Sequence, residues 1–563
     1  MGERDGAGGA GAAVLRAALA AAEPPGTRPL DGLVARLAAA GRLRAVLAGP
    51  DGAPVRALDA RQVARVEVAG IAYDSRRVVP GSCFVAVPGA HADGHAFAGA
   101  AVAAGAAAVV LERPLPGLGA VQLVVDRSQL ALAVVAGWWY GDPSDRLGVV
   151  GVTGTDGKTT TAAMAVAALE AAGVRAGLVS TAEMKVGPAR AEALAHVTTP
   201  EAPELQRALR AMDRAGDAAA VVETTSHGLA LERVGGIAYD VAIFTNLTHE
   251  HLELHGTFEA YRAAKRSLFE RLALDPARPA KPPTLPGGRP WPKGGIVNAD
   301  DPSAAELAVA TRAAGAALVT YGSDPAADVR VLRVDEEAAG IRARIAAPSG
   351  MIDLALQLLG RFNVHNALAV VALGELLGLD PPAVRAGLEG FRGVRGRMER
   401  IDAGQPFVVV VDYAHTPASL ATVLDVLAPL ATATGGGCIA VFGSAGERDV
   451  EKRGLQGRVA GERCRLVVAT DEDPRGEDRM AILEAIAAGA EAAGRRRGDD
   501  LLLVPDRRAA IAEAFARARP GDVVLLAGKG HERSIIQAGG DLPWDERTVA
   551  LEALAALGWR AGG

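Results

Sequence analysis

The chain has 563 residues, half of them hydrophobic, and its 60 basic and 66 acidic side chains are intermixed to a formal net charge of -6. That length predicts roughly three or four domains with sizeable cores, and the charge balance gives no electrostatic case for nucleic acid or a membrane surface. The three cysteines, Cys83, Cys438 and Cys464, stand far apart, which excludes a disulfide framework or cysteine metal cluster and fits a reducing cytoplasm.

Residues 1–27 are dominated by small side chains with little to bury, and a disordered or loosely helical extension is expected there. Glu3 and Asp5 and the lack of a bulky apolar run argue against a signal peptide. No apolar run has the length of a membrane span without Gly, Pro or charge intervening, so no membrane insertion is expected. Residues 28–127 read as a small α/β unit, with strands over 66–73, 82–87, 107–111 and 121–125 and a helix over 97–104. The turn Asp74-Ser75-Arg76 suits an anionic ligand through Ser75 and Arg76; a capped turn with a solvated arginine is the competing reading.

Residues 128–394 are organised around GVTGTDGKTTT at 151–161. An apolar run precedes this stretch and an alanine-rich helical run, 162–172, follows it. Strand, glycine turn and helix start form an anion-binding geometry in which backbone N–H groups and the helix N-terminus face a phosphate. Gly154, Thr155, Asp156 and Gly157 form the turn. Lys158 is placed to reach the outer phosphates, and the Thr159 or Thr160 hydroxyl to hold Mg²⁺. The spacing departs from the standard phosphate-loop pattern, since Val152 stands where that pattern has glycine. Further strands over 219–222 and 241–244 end in Glu223-Thr224-Thr225 and Thr245-Asn246, so three strand ends point at one site. Glu223 is a candidate Mg²⁺ ligand, or else a residue that favours a helix dipole. HEHLELH at 249–255 carries a superficial zinc signal around His251, but no HExxH helix or cysteine partner accompanies it. An amphipathic helix over 261–272 buries Leu268, Phe269 and Leu272 and leaves Lys265 either solvated or beside the metal, where a bare ammonium would repel it. Residues 275–295, rich in Pro and Gly, are expected to be a flexible surface insertion. Strand structure resumes at 295–297, a hairpin meander follows over 329–356, and a helix opens at Asn363 and Asn366. These asparagines either read adenine or cap the helix.

Residues 395–563 carry four strands, 407–411, 439–442, 466–469 and 523–527, each ending in a polar cluster, as in a doubly wound domain.

The order of DSR at 74–76, TGTDGKTTT at 153–161, TTP at 198–200, ETTSHGLALERV at 223–234, NADDP at 298–302, GRFNVHNALA at 360–369, DYAHTP, GSAGERD, DEDPRGED and GKGHE resembles the Mur ligases. The likeness is greatest to the branch that adds the third amino acid of the peptidoglycan stem. It implies an α/β fold of three domains: a small uridine-nucleotide domain, a P-loop-type central ATPase domain with a parallel sheet, and a C-terminal Rossmann-like domain. It also implies a cytoplasmic, ATP- and Mg²⁺-dependent enzyme, expected as a monomer. The implied reaction phosphorylates a carboxylate of UDP-N-acetylmuramoyl-L-alanyl-D-glutamate, and an amino-acid amine then attacks the acyl phosphate. By resemblance, Lys158 and Thr159 hold phosphate and metal, and Glu223 and His251 ligate metal. Lys265 is the lysine carbamylated by CO₂ to N6-carboxylysine. Asn298, Asn363 and Asn366 lie near adenine, and Arg397, Asp412 and His415 approach the nucleotide from the third domain. Ser75 marks the uridine site, and Thr198, Thr199, Thr225 and Arg233 hold the muramoyl dipeptide. Arg448, Asp473, Arg475, Gly528 and Glu532 receive the amino acid. Asp156 replaces the usual asparagine, and Glu472-Asp473-Pro474-Arg475 departs from the DNPR of diaminopimelate-adding members. Arg475 argues for meso-diaminopimelate, while the added negative charge would welcome L-lysine or L-ornithine. A folylpolyglutamate synthetase and a catalytically silent nucleotide-sugar-binding protein are the alternatives. The first should lack the DSR domain and the second should lack Glu223, His251 or Lys265.

Overall fold

Short runs of Val, Ile, Leu and Ala with both faces buried build the parallel strands of this chain, and polar residues cluster where those runs stop. A computed structural model describes residues 4–48, 56–57, 60–89, 92–192, 198–248, 255–276, 278–337 and 340–560. The chain divides into two compact units: residues 1–332, 345–352 and 365–388, and residues 333–344, 353–364 and 389–563.

The first unit contains two large sheets and a two-stranded pairing near its start. The smaller is ordered Arg56–Ala57, Leu43–Ala48, Val121–Val125, Ala108–Leu111, Ser82–Val85, Gly70–Ala72, and its last four strands are parallel. Leu43–Ala48, which was not expected, runs antiparallel to Val121–Val125. The predicted strand over 66–73 is two pieces, Glu67–Val68 and Gly70–Ala72, and the first pairs with Arg28–Pro29. The larger sheet has a parallel centre ordered Ala176–Val179, Ala219–Glu223, Gly148–Thr153, Val241–Phe244, Gly294–Asn298, Ala317–Gly322. Its core includes Val149, Val222, Phe244, Leu268 and Phe269, so the helix Phe258–Glu270 packs its apolar face on the sheet. The meander strands Val329–Glu337, Gly340–Ala347 and Gly350–Leu356 are present, their residues divided between the two units.

Two expectations for this unit are corrected. Of the two alternatives for the N-terminal segment the helical one holds, but not as a loose extension: it forms the helix Arg4–Ala21, and Leu15, Leu19 and Ala22 join the core of the larger sheet. Residues 275–295 are not a loose insertion. Lys281 Nζ donates to the carbonyls of Leu147 and Ala238 at 2.9 and 2.6 Å and pairs with Asp240. Arg278 pairs with Asp145 at 2.6 Å. The Trp291 ring covers Gly148 so closely that a Cβ there would lie 1.9 Å from it. Proline and glycine shape this segment, and long-range anchors fix it.

The second unit is built on a six-stranded sheet ordered Glu399–Ile401, Val408–Asp412, Val523–Ala527, Cys438–Phe442, Cys464–Ala469, Leu501–Leu503, with a short hairpin of Ser534–Gln537 and Gly540–Pro543. Five strands are parallel and the edge strand Glu399–Ile401 is antiparallel. Helices cover both faces, with Leu420, Leu424 and Ile486 in one core and Ile511, Phe515 and Val549 in the other.

Candidate functional site

In the first unit the strand Gly148–Thr153 runs directly into the glycine turn, and the helix Lys158–Ala171 starts earlier than expected, at the lysine itself. Gly154 has φ +149° and Gly157 φ +79°, and a Cβ at either would lie 1.8 Å from Thr245 Oγ1 or 2.3 Å from Asn366 Oδ1. Glycine is therefore required at both positions. The turn is pinned from the next strand end: Thr155 N donates to Asn246 O and Asp156 N to Asn246 Oδ1, both at 2.8 Å. The Asp156 side chain is exposed, so its charge faces solvent. Lys158 Nζ donates to Thr155 O at 2.7 Å, folding back over the turn.

Glu223, 1% exposed, ends the neighbouring strand. Its carboxylate accepts Thr159 Oγ1 at 2.9 and 3.0 Å, Thr181 N at 2.8 Å and Thr181 Oγ1 at 3.1 Å. Thr181 Oγ1 also lies 2.9 Å from Thr198 Oγ1, whose hydroxyl can donate to it. A carboxylate and a hydroxyl at a helix N-terminus are hard oxygen donors of the kind Mg²⁺ prefers, so these residues fit that ion. Lys265 is not the solvated lysine of the simpler reading. It is 2% exposed, and its Nζ donates to Gly154 O at 2.5 Å and sits 4.4 Å from the Tyr261 ring. Tyr261 OH lies 3.0 Å from Thr155 Oγ1, which ties the helix of Lys265 to the turn. Asn298 Nδ2 donates to Thr245 O at 2.7 Å, and Asn366 Oδ1 accepts Thr161 Oγ1 at 3.2 Å. His249 and His251 lie outside the described residues; His255 packs on Tyr261 with ring centroids 5.2 Å apart.

A second group extends from Glu223. Thr199 Oγ1 donates to Glu223 O at 3.0 Å and lies 3.0 Å from Thr225 Oγ1. Thr225 caps a short helix through Gly228 N, and Arg233 Nη1 donates to Thr199 O at 3.1 Å and pairs with Glu201 at 2.7 Å. In the smaller sheet's domain, Asp74 caps the turn. Arg76 is exposed and paired back to Asp74 at 2.8 Å, which holds that carboxyl down at about 2.

In the second unit polar residues again gather at the carboxyl ends of the strands. Asp412 accepts Met398 N and Ala414 N, both at 2.8 Å, and burial pushes its carboxyl up against the pull of Arg397. Arg397 stacks 4.9 Å from the Tyr413 ring centre. His415 Nδ1 lies 3.0 Å from Tyr413 O, and burial lowers its pKa. Asp473 Oδ1 accepts Lys529 Nζ and Ile536 N, both at 2.8 Å, and Lys529 also pairs with Glu532. Arg475 has φ +54°, is held by its N–H to Ile536 O at 2.9 Å, and has a buried Nε without a partner among the described residues. Gly528 has φ +100°. Arg448 is exposed in the loop after the strand Cys438–Phe442. Asn363 Nδ2 donates to Leu359 O at 2.7 Å.

Three family models match in chain order: Mur ligase family, catalytic domain, over residues 67–133; Mur ligase middle domain over 152–374; and Mur ligase, glutamate ligase domain, over 396–530. A UDP-N-acetylmuramyl-tripeptide synthetase of Roseiflexus sp. (strain RS-1) is 49% identical over 499 residues, covering 88% of this chain and 96% of the relative. The chain belongs to the Mur ligase family. A UDP-N-acetylmuramoyl-L-alanyl-D-glutamate--2,6-diaminopimelate ligase of Solibacter usitatus (strain Ellin6076) is 40% identical over 501 residues, covering 89% of this chain and 96% of the relative. A solved structure of a ligase with that name matches with TM-score 0.63 at 30% identity, covering 88% of this chain and 96% of the other. The chain is thus an ATP-dependent, ADP-forming amide ligase of peptidoglycan synthesis. The Mur ligase motifs correspond to the strand ends just described. Thr181 and Asn246 in the first unit and Lys529 and Ser444 in the second belong to the same clusters, but no sequence reading singled them out for a role.

Proposed function

We propose that this Mur ligase adds meso-diaminopimelate to UDP-N-acetylmuramoyl-L-alanyl-D-glutamate in the cytoplasm through an acyl phosphate. Forming an amide from a carboxylate requires a better leaving group than hydroxide, and the γ-phosphoryl group of ATP supplies it. Gly154–Gly157 backbone N–H groups and the N-terminus of the following helix would cradle the phosphates, with Lys158 swinging from Thr155 O onto them. Thr159, Glu223 and, by resemblance, His251 and carbamylated Lys265 would hold Mg²⁺. The ion would screen repulsion between the phosphate and the attacking carboxylate. Carbamylation would turn the buried Lys265 ammonium into an anion suited to that role. Thr198, Thr199, Thr225 and Arg233 adjoin Glu223, which supports their assignment to the muramoyl dipeptide. Ser75 is assigned to the uridine nucleotide, Asn298, Asn363 and Asn366 to adenine, and Arg397, Asp412 and His415 to the nucleotide.

The choice of amino acid rests on Arg475. Its buried Nε, without a partner among the described residues, is a guanidinium donor suited to a carboxylate, which diaminopimelate carries at its distal end and lysine and ornithine lack. Asp473, whose extra charge favours a diamine, is already matched by Lys529. The test is phosphate release with ATP, Mg²⁺ and the muramoyl dipeptide, with meso-diaminopimelate, L-lysine and L-ornithine offered separately and product mass measured. Turnover with meso-diaminopimelate is expected; turnover confined to lysine or ornithine would refute the assignment.

A further inference from the structure

Arg507 and Glu546 form an ion pair at 2.6 Å in the second unit, and both side chains are fully buried. Arg507 opens the helix Arg507–Ala516 and Glu546 opens the helix Glu546–Ala556. The guanidinium reaches well beyond its partner. Nε and Nη2 donate to the Glu546 carboxylate at 3.0 and 2.6 Å. Nη1 donates to Asp471 O at 3.0 Å, and Nη2 also donates to Ala527 O at 2.7 Å. Trp544 Nε1 donates to Glu546 Oε2 at 2.6 Å and fixes the carboxylate in turn.

The two carbonyls belong to different strand ends. Ala527 ends the strand Val523–Ala527 and leads into Gly528-Lys529-Gly530-His531-Glu532. Asp471 follows the strand Cys464–Ala469 and leads into Glu472-Asp473-Pro474-Arg475. The strand Cys438–Phe442 lies between them in the sheet. The two loops therefore leave strands that are not hydrogen-bonded neighbours and that stand about 10 Å apart. A buried ion pair is weak evidence of a stabilising role, because well-packed apolar residues often replace one at no cost. Apolar residues cannot hold two carbonyls at a set separation. A lysine, which is a point donor without the planar fork of arginine, is poorly suited to span them.

We propose that Arg507 is a positioning residue for the incoming amino acid, setting the spacing of the 471–475 and 528–532 loops so that Arg475 and Glu532 meet the same molecule. The inference rests on the ligase reading, which assigns those loops to the amino acid, and it adds a residue that stands outside both and acts only through them. Lys529, paired with Asp473 and Glu532, ties the loops further along their length. Arg507 ties them where they leave the sheet. The five N–H donors of a guanidinium suit that task, since four of the contacts needed lie in different directions: two to one carboxylate and one to each carbonyl.

The test compares three variants of the full chain, each read for the KM of meso-diaminopimelate, the KM of ATP and the urea midpoint. Arg507→Lys keeps a cation opposite Glu546 and loses the bridge between the carbonyls. It should raise the KM for meso-diaminopimelate about tenfold or more and leave the KM for ATP level. Glu546→Gln keeps Arg507 and both carbonyl contacts but leaves a buried cation without its counter-charge. It should lower the urea midpoint more than Arg507→Lys does, yet raise the KM less. The double variant Arg507→Met, Glu546→Leu removes both charges. Its midpoint should recover toward that of the wild type while the raised KM remains, and it carries the test if the Gln variant does not fold. A KM that follows the urea midpoint across the variants makes the ion pair structural and overturns the inference, leaving the ligase reading intact. Equal increases in the KM for meso-diaminopimelate and for ATP overturn it as well. Failure of the wild-type chain to turn over any of the three diamino acids overturns both.

Discussion

Glu223→Gln tests the metal-holding role proposed for this carboxylate separately from its structural one. The substitution keeps the side-chain shape and removes the charge. The native carboxylate accepts hydrogen bonds from the Thr159 hydroxyl and from the Thr181 N–H and hydroxyl within 3.1 Å. An amide retains one acceptor oxygen but turns an N–H₂ group toward donors, so about one charge-assisted hydrogen bond is lost. The stability cost is about 1.5–3 kcal/mol, measurable as a shift of the urea midpoint. The functional cost is separate. Losing a carboxylate that ligates Mg²⁺ directly, or orients Thr159 toward it, should weaken metal affinity by about 10- to 100-fold. Phosphate release should therefore fall at a fixed low Mg²⁺ concentration and recover in part as Mg²⁺ is raised. The assay is phosphate release titrated with Mg²⁺ at saturating ATP, alongside a denaturant curve of the same preparation. An unchanged Mg²⁺ half-saturation with a shifted denaturant midpoint would refute the metal role and leave Glu223 as a structural acceptor.

Lys265→Ala should lower phosphate release by about 100-fold, as expected for removal of a group that stabilises developing charge, and Lys265→Glu should not restore the full rate; wild-type turnover in the Ala variant would dismiss the carbamate. Arg475→Ala should raise the KM for meso-diaminopimelate while leaving that for ATP unchanged, and equal increases would make the arginine structural. Asp240→Asn should cost about 3 kcal/mol in a denaturant curve. It strips the anion from beneath Lys281 and Lys293 and weakens the Asp240 bond to Val149 N at 2.7 Å. A Lys281→Met change in the Asn background should recover part of that loss, since burial already holds Lys281 down at about 8.

Strands buried on both faces are legible because nothing but apolar side chains suits them, and Val121–Val125, Val241–Phe244 and Val523–Ala527 lie where their patterns predict. Leu43–Ala48 escapes that logic because it is half exposed, and Leu501–Leu503 because it is three residues long. The first helix offers only Leu15 and Leu19, an i, i+4 pair whose burial depends on a sheet surface far along the chain. The segment over 275–295 misleads for the opposite reason. Its proline and glycine report local backbone freedom, whereas Lys281 and Trp291 hold it against partners far off in the sequence, Leu147 and Gly148 among them. The same division runs through the site. The glycine turn is local, and its two forbidden Cβ positions follow from a motif that can be read off the chain. The neutralisation of Asp473 by Lys529 spans 56 residues. A sequence reader sees an added negative charge beside Arg475 and infers a pocket for a diamine. The fold matches that charge with Lys529 and Ile536 N, and Oε2 of Glu472 is buried without a hydrogen-bond partner among the described residues. Which of these carboxylates is already engaged is thus a property of the cluster that no single motif contains.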